Sequence, residues 1–457
     1  MRLVIIGLFA LAVAAPGQWI DTTLVVPGTP WRLCYNPSSN KVYCTLYDSA
    51  RVLVIDGASN HILASVPVGE HPQDVAHVVT GNKIYTADQD SFRLTVISGA
   101  GDSVLRTISL AGRPHRLEYN PVNNRLYACY LVASSRVYVI DCATDVVIAA
   151  ITTGAATRAL LHNPGLNRLY CANSGDSSLS IINCATNNVI QTLRVGSEPF
   201  ALCLDESRNR VYVANGGDGT VSVVRGSAGA PDTVIATVAT GHRSYALCRV
   251  PLNDRVYVAN FEDSSVSVIN CTTNTVVATI RVGQRPSDII LGPDGRRVFV
   301  ANREDRSVSV IDCATNRVIG TVPVEPTPSY LGINRRNNKV YCSNVDGRTI
   351  TVITDHVGVT EPTGGRRRPM DPGPTVVRGV LSLPASSVQR GASCVLLDAC
   401  GRRVMSLRSG ANDVSGLAPG IYFVVTPHLD PFPQGERERL SAVSRAPSAV
   451  VKVVITR

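Results

Sequence analysis

One short phrase returns eight times along this chain: an aliphatic residue, an aromatic one, then two or three small residues before a turn. It reads VYCT at Val42–Thr45, IYTA at Ile84–Ala87, LYAC at Leu126–Cys129 and LYCA at Leu169–Ala172. It continues as VYVAN at Val211–Asn215 and again at Val256–Asn260, then VFVAN at Val298–Asn302 and VYCSN at Val340–Asn344. Successive copies lie 42 to 45 residues apart, the period of a four-stranded propeller blade. A lone four-stranded unit leaves its apolar faces bare. Radial stacking of the copies covers those faces and leaves only short edges.

The copy from Gly283 to Val324 shows the pattern inside one unit. Pro286 opens a strand at Asp288–Leu291, and Gly292-Pro293-Asp294-Gly295 turns the chain into Arg297–Asn302. Ser307–Asp312 alternates small polar and aliphatic residues, and Val318–Val324 is the fourth strand. Alternation of this kind marks strands with two different faces, and the Gly, Asn, Asp and Pro residues between them are turn formers. Eight units carry three strands, but the last runs out after Thr349–Thr354. The missing strand stands at the other end, where Trp19–Val26 (WIDTTLVV) matches VVATIRV at Val276–Val282. The expectation is an all-β propeller of eight four-stranded blades closed by an N-terminal strand, with seven blades as the alternative.

The phrase VYVAN followed by D-x-(S/T)-V-S-V-I-(D/N)-x-(A/T)-T-N resembles the YVTN-repeat β-propellers, the YncE-like group. The resemblance spans roughly Trp19–Asp355 and implies the propeller fold. Two units depart from it, with TADQD and ACYLVAS in place of the V-A-N phrase.

The two ends of the chain read as processing and address. Met1-Arg2 and the apolar stretch Leu3–Ala15, with Ala12-Val13-Ala14 as a cleavage site, form a signal peptide over residues 1–15. That run is too short to span a bilayer as a helix, so the mature chain is expected to be exported, without a transmembrane helix. The propeller then occupies 19–357, a linker rich in Pro, Gly and Arg 358–374, and a small Ig-like β-sandwich 375–457. The linker reading rests on EPTGGRRRPMDPGP at Glu361–Pro374. Net charge is +9, yet residues 361–457 alone hold 13 Lys/Arg against 7 Asp/Glu. The repeats are therefore nearly balanced, and nucleic acid is not an expected partner. Thirteen cysteines fall on recurring blade positions, such as Cys142, Cys184, Cys271 and Cys313. Equivalent positions in successive blades are too far apart to bridge, so small buried filler is the expectation rather than disulfides.

After the linker the 42-residue period ends, and short strands are predicted at Val376–Leu383, Cys394–Asp398, Arg403–Leu407, Ile421–Thr426 and Val450–Thr456. The phrases LDACGRRV at Leu397–Val404, LAPGIYFV at Leu417–Val424 and the terminal KVVITR are similar to the C-terminal sorting domains of bacterial type IX secretion substrates. The insertion Pro427–Pro447 departs from that pattern. The resemblance implies delivery across an outer membrane to the cell surface or medium, with the outer-membrane secretion machinery as partner and the periplasm as the alternative location.

Function is sought where strand starts surround the channel. Aligned from the first unit to the eighth, the residue after the opening Pro or its substitute is Trp31, Gln73, His115, Arg158, Phe200, Tyr245, Ser287 and Ser329. The next is Arg32, Asp74, Arg116, Ala159, Ala201, Ala246, Asp288 and Tyr330, and the third is always aliphatic, from Leu33 to Leu331. Mixed polar and aromatic positions beside a uniform packing position describe a binding funnel on a regular scaffold. The candidate ligand contacts are Trp31, Arg32, Gln73, Asp74, His115, Arg116, Arg158, Phe200, Tyr245, Asp288 and Tyr330. Arginines beside aromatics favour an anionic or carbohydrate-like small molecule, a glycan or a protein. H-E-x-x-H, G-x-S-x-G and phosphate-loop motifs are absent from the sequence. No cofactor or metal is expected: Asp176, Asp218, Asp263 and Asp305 read as turn residues, and His71, His115 and His242 come from different blades. A binding scaffold is the first reading. The alternative is a propeller enzyme of lactonase, lyase or quinone-dehydrogenase type, using His115, Arg116, Asp74 and Asp288 as acids and bases.

Overall fold

Alternating residues of a strand face opposite ways, and in this chain both faces of each repeat meet another copy. The computed structural model describes residues 18–131 and 135–355, together with seven strands between 375 and 455. The repeats form eight four-stranded antiparallel sheets, each in simple up-and-down order. In the sixth blade, Ser244–Val250, Arg255–Asn260, Ser265–Asn270 and Thr275–Arg281 lie side by side. Val256 and Val258 pack back on Tyr212 and Val223 of the fifth blade. Tyr257 and Ala259, from the other face, pack on Val298 and Val300 of the seventh. Each of these residues is fully buried, and a buried Val contributes about 1.5–3 kcal/mol. The core is thus a ring of similar apolar layers between blades rather than one central mass.

Ring closure follows the expected route. Gln18–Val25 pairs antiparallel with Thr349–Asp355 and is the fourth strand of the eighth blade. Val42, Cys44 and Leu53 of the first blade pack with Tyr341 and Val352 of the eighth, as any two neighbours do. The ring has eight blades, not seven.

Two repeated polar devices explain the phrase that marks the sequence. The Asn ending V-A-N is fully buried, and its amide donates to two hydroxyls on the next strand. Asn260 reaches Ser265 and Ser267 Oγ, each at 2.9 Å, and Asn302 reaches Ser307 and Ser309 at 3.0 and 2.8 Å. In the second blade, Asp88 replaces Asn and accepts hydrogen bonds from Thr95 on the next strand and from Thr86 on its own, the latter at 2.7 Å, so the departure TADQD keeps the knot with its polarity reversed. The second device joins blades. Lys41 and Tyr43 of the first blade both donate to Asp102 of the second, at 2.7 and 3.0 Å. Lys83 Nζ and Tyr85 OH likewise donate to Asp145. At the seam, Lys339 and Tyr341 donate to Asn60 Oδ1 at 2.9 and 3.0 Å. Asn60, Asp102 and Asp145 have positive φ of 63°, 52° and 55°, the left-handed region that Asn and Asp enter more readily than most residues.

The eleven described cysteines are free thiols. Cys184, Cys271 and Cys313 lie within the apolar layers between blades. Among the described residues no helix is long and apolar enough to cross a membrane. The chain divides into two compact units, Met1–Val359 and Thr360–Arg457. In the second, Gly420–Val425 pairs antiparallel with Cys394–Leu397 and with Val450–Ile455, and Val380–Leu383 pairs with Gly410–Asp413. The expected signal segment 1–15 and the linker 358–374 lie outside the described residues.

Candidate functional site

Proline or a small residue opens each innermost strand, and the structure shows why the next two positions carry the variable side chains. The innermost strand breaks register with its neighbour at the same point in all eight blades. The break falls between Pro30 and Leu33 in the first blade and between Pro114 and Arg116 in the third. It recurs between Ser244 and Ala246 and between Pro328 and Tyr330. A bulge inserts an unpaired residue, bends the strand and re-aims its side chains. In a regular strand two consecutive residues would face opposite ways. Here Trp31 and Arg32, His115 and Arg116, and Ser287 and Asp288 all line one axial cavity of about 410 Å³. A left-handed residue precedes the strand in six blades, among them Ala156, Glu198 and Thr327 with φ of 54°, 49° and 61°.

The cavity gathers Trp31, Arg32, Gln73, His115, Arg116, Arg158, Phe200, Tyr245, Asp288 and Tyr330 in its lining. Asp74 is not in that lining. Its carboxylate accepts the backbone N–H of Val75 and, across the blade boundary, that of Leu117, both at 3.0 Å. Asp288 does the same with Ile289 and Leu331, both at 2.9 Å. These two carboxylates are therefore clamps between neighbouring innermost strands. The uniform third position is not only packing, since Leu117, Leu160, Leu202 and Leu247 also reach the cavity.

The arginines are seated on rings. The Arg32 guanidinium lies 4.1 Å from the centre of the Tyr330 ring, and Arg158 lies 3.6 Å from that of Phe200. Such contacts stabilise a cation without using its N–H groups. Trp31 meets Tyr330 edge-on at 5.0 Å, and Phe200 meets Tyr245 at 4.4 Å. A second ring of side chains braces the first: Tyr47 packs on Trp31, Phe261 on Tyr245, and Gln89 accepts a hydrogen bond from Gln73 at 2.7 Å.

Burial shapes the charges. It works against the Arg32 cation, but Tyr330, Asp74 and Asp288 outweigh it and hold the guanidinium above its ordinary pKa. Burial, then repulsion from Arg32, lowers the pKa of Arg116. Burial and the surrounding Arg116, Arg158 and Arg32 push His115 down to about 2, so its imidazole is neutral. The polar atoms are poorly matched inside the protein. Trp31 Nε1, Arg32 Nε, Arg116 Nη1 and both ring nitrogens of His115 are buried without a hydrogen-bond partner, a costly state unless a ligand or solvent supplies acceptors.

Two lining residues escaped the sequence reading. Arg303 lies in the turn that also supplies Tyr47, Gln89 and Phe261 in other blades. Glu118 lies one position beyond the aliphatic residue of the third blade, where the other blades hold Cys34, Ala76, Leu161, Cys203, Cys248, Ile290 and Gly332. One charge in that small and apolar column was the available signal. Burial, reinforced by Asp74, pushes the Glu118 carboxyl up to about 7, although it accepts the backbone N–H of His162 at 3.0 Å.

The acid–base quartet shares a neighbourhood without forming a relay. His115 has no hydrogen-bond partner, and both oxygens of Asp74 and of Asp288 are taken by backbone N–H groups. His71 and His242 each pair with an aspartate of their own blade, Asp90 and Asp263, at 2.7 and 2.9 Å. Asp176, Asp218, Asp263 and Asp305 accept the N–H groups of Ala155, Ser197, His242 and Gln284. They are loop fasteners. Among the described residues Asp205, Asp254 and Cys271 could approach a common ion, but Arg208 and Arg249 already occupy both carboxylates.

No family model matches the chain, and no curated protein matches it. Solved structures do. Hydrazine synthase of Kuenenia stuttgartiensis superposes with a TM-score of 0.52 at 16% identity, over 63% of this chain and 96% of that one. Sqt1 of Saccharomyces cerevisiae superposes with a TM-score of 0.63 at 11% identity, over 76% and 99%. At these identities the likeness is one of fold, and it places the chain among β-propellers.

Proposed function

We propose that this protein is an exported β-propeller of the YVTN-repeat type that acts as a binding scaffold, with the axial cavity as its ligand site. The observation that carries the reading is the set of buried, unpartnered nitrogens converging there from Trp31, Arg32, His115 and Arg116. A fold without a ligand gains nothing by leaving such donors unmet. The reading of delivery rests on the apolar N-terminal run and the sorting-like phrases of the tail, which folds as an Ig-like sandwich in this proposal. The tail then engages the outer-membrane secretion machinery and brings the propeller to the cell surface or medium.

Two experiments test the two halves. Protease shaving of intact producing cells should release propeller peptides from the full-length chain but not from a chain ending at Pro362. Equal release from both would end the sorting reading. For binding, a panel of glycans and small metabolites is screened by the thermal unfolding shift of the full chain. Hits should vanish in His115→Ala/Arg116→Ala. Hits that persist would move the site off the axis, and a panel without hits would count against a small ligand.

A further inference from the structure

Resting on that reading of the axial cavity, we propose that its ligand is a small organic oxyanion, a molecule carrying a carboxylate, phosphate or sulfate group. The argument starts from how arginines are satisfied in this molecule. Away from the axis several meet carboxylates, and others meet backbone carbonyls: Arg208 and Arg249 each contact Asp254 at 2.7 Å, Arg168 contacts Asp232, Arg297 contacts Asp355, and Arg106 donates to the Thr144 carbonyl. At the axis the pattern reverses. Arg32 and Arg158 rest on aromatic faces, and Arg116 leaves Nη1 unpaired. Carboxylates are near but withheld, because Asp74 and Asp288 spend both oxygens on backbone N–H groups. They lend the guanidinium charges a favourable field while leaving the N–H forks open.

The open groups are mostly donors. Trp31 Nε1 donates only, the guanidinium nitrogens donate only, and neutral His115 offers one donor and one acceptor. A hydroxyl-rich neutral ligand brings as many donors as acceptors and would leave some of these groups unmet. An oxyanion brings acceptors alone, and the planar forks of Arg32 and Arg116 suit it. A cavity of about 410 Å³ exceeds what one such group fills, and Leu117, Leu160, Leu202 and Leu247 supply an apolar wall for an organic body.

Trp31 is a built-in reporter, since the chain has only two tryptophans. Full-length protein carrying Trp19→Phe is titrated with glucose 6-phosphate, glucuronate and glucose, which keep one ring and change only the charge. The expected result is saturable change in Trp31 emission with at least one charged sugar, tenfold or more tighter than with glucose and weakened by salt. Arg116→Gln should reduce that affinity at least tenfold without shifting the unfolding midpoint downward. Binding of glucose 6-phosphate alone assigns a phosphate-like group, and binding of glucuronate alone a carboxylate. Glucose binding as tightly as both charged sugars, and still lost in Arg116→Gln, would overturn the oxyanion inference while leaving the axial binding site intact. Silence from all three probes would overturn the inference. The broader metabolite panel then decides whether the cavity is a binding site at all.

Discussion

The rim between blades and the ring around the axis are both eightfold positions filled by polar side chains, and they treat those side chains in opposite ways. Between blades, a Lys or Arg and a Tyr two residues later converge on one Asn or Asp of the next blade in the first, second, fourth and eighth blades, as with Lys83, Tyr85 and Asp145. In the third and fifth blades the Tyr127 and Tyr212 hydroxyls lack a partner, but the cations Arg125 and Arg210 are still held. Around the axis the side chains differ from blade to blade, and nitrogens of Trp31, Arg32, His115 and Arg116 have no partner. Burying a charge or a donor is costly unless it is paired. The rim therefore holds the ring together, and the axis carries a cost that a ligand can relieve.

The contrast breaks most sharply at Asp145. Its carboxylate receives Lys83 through both oxygens at 2.8 Å and also Tyr85, and its side chain is 9% exposed. Asp145→Ala strands a nearly buried ammonium and a buried phenol, and should destabilise the propeller by about 3 kcal/mol. Guanidinium unfolding of the full chain measures it. A loss below about 1 kcal/mol would erase the distinction between rim and axis.

A second test uses pH. Glu118 titrates at about 7 in the folded chain and near 4.3 when unfolded. Between those values the folded state holds a proton that the unfolded state has released, so this group makes stability fall as pH rises. His115 acts in the opposite sense. With a folded pKa of about 2 against about 6.5 unfolded, it makes stability rise with pH up to the unfolded value. The two overlap between roughly pH 4.5 and 6.5, so the difference between parent and Glu118→Gln isolates the glutamate. The variant should gain on the parent by on the order of 2 kcal/mol from pH 5 to pH 8. A difference that stays flat with pH would show that Glu118 is solvated.

Arg116→Met sharpens the comparison from the axial side. Replacing a part-buried guanidinium whose Nη1 is buried without a partner by an apolar chain of similar length should raise stability by about 1 kcal/mol, while abolishing binding. A comparable loss of stability would mean that Arg116 is structural after all.

How much of this was legible in the sequence differs between the two rings. The rim shares the strand period, so the aromatic of the repeat phrase, Tyr43 or Tyr85, stands at a fixed blade position, while the partner its hydroxyl meets lies about 60 residues on in the next blade. Blade number and closure could be counted, because the absent fourth strand of the last unit and the spare strand at Trp19–Val26 are both visible in the text of the chain. The axial positions were locatable for a related reason: they follow the opening proline. Their geometry was not, because a bulge is set by pairing with another strand and has no local signature here. Period-two alternation alone would turn Trp31 and Arg32 to opposite faces, whereas the bulge brings both to the cavity. Asp74 was placed with the ligand contacts, although its oxygens hold Val75 and Leu117. Its hydrogen bond to Leu117 lies 43 residues away, beyond what a local pattern can reveal. Glu118 stands one position beyond the aliphatic residue, in a column otherwise small or apolar, and its place in the cavity lining is set by the bulged strand and not by the local pattern.

The smallest expected effect concerns the step into the bulge. Ala156 has a φ of 54°, and its carbonyl accepts the N–H and hydroxyl of Ser174, both at 3.0 Å, so the conformation is fixed by the loop it faces. An L-residue in that region costs about 1–2 kcal/mol. Glycine removes the cost but loses about 0.4–1 kcal/mol through a more flexible unfolded chain. Ala156→Gly should therefore stabilise by about 0.5 kcal/mol, whereas Ala155→Gly, beside it and without positive φ, should destabilise by a similar amount. Both are read from unfolding midpoints at one pH. Because neither side chain lines the axial cavity, ligand affinity should stay unchanged in both. An affinity change in Ala156→Gly alone would show that the left-handed step does more than start the strand: it would set how far the Arg158 bulge leans into the cavity.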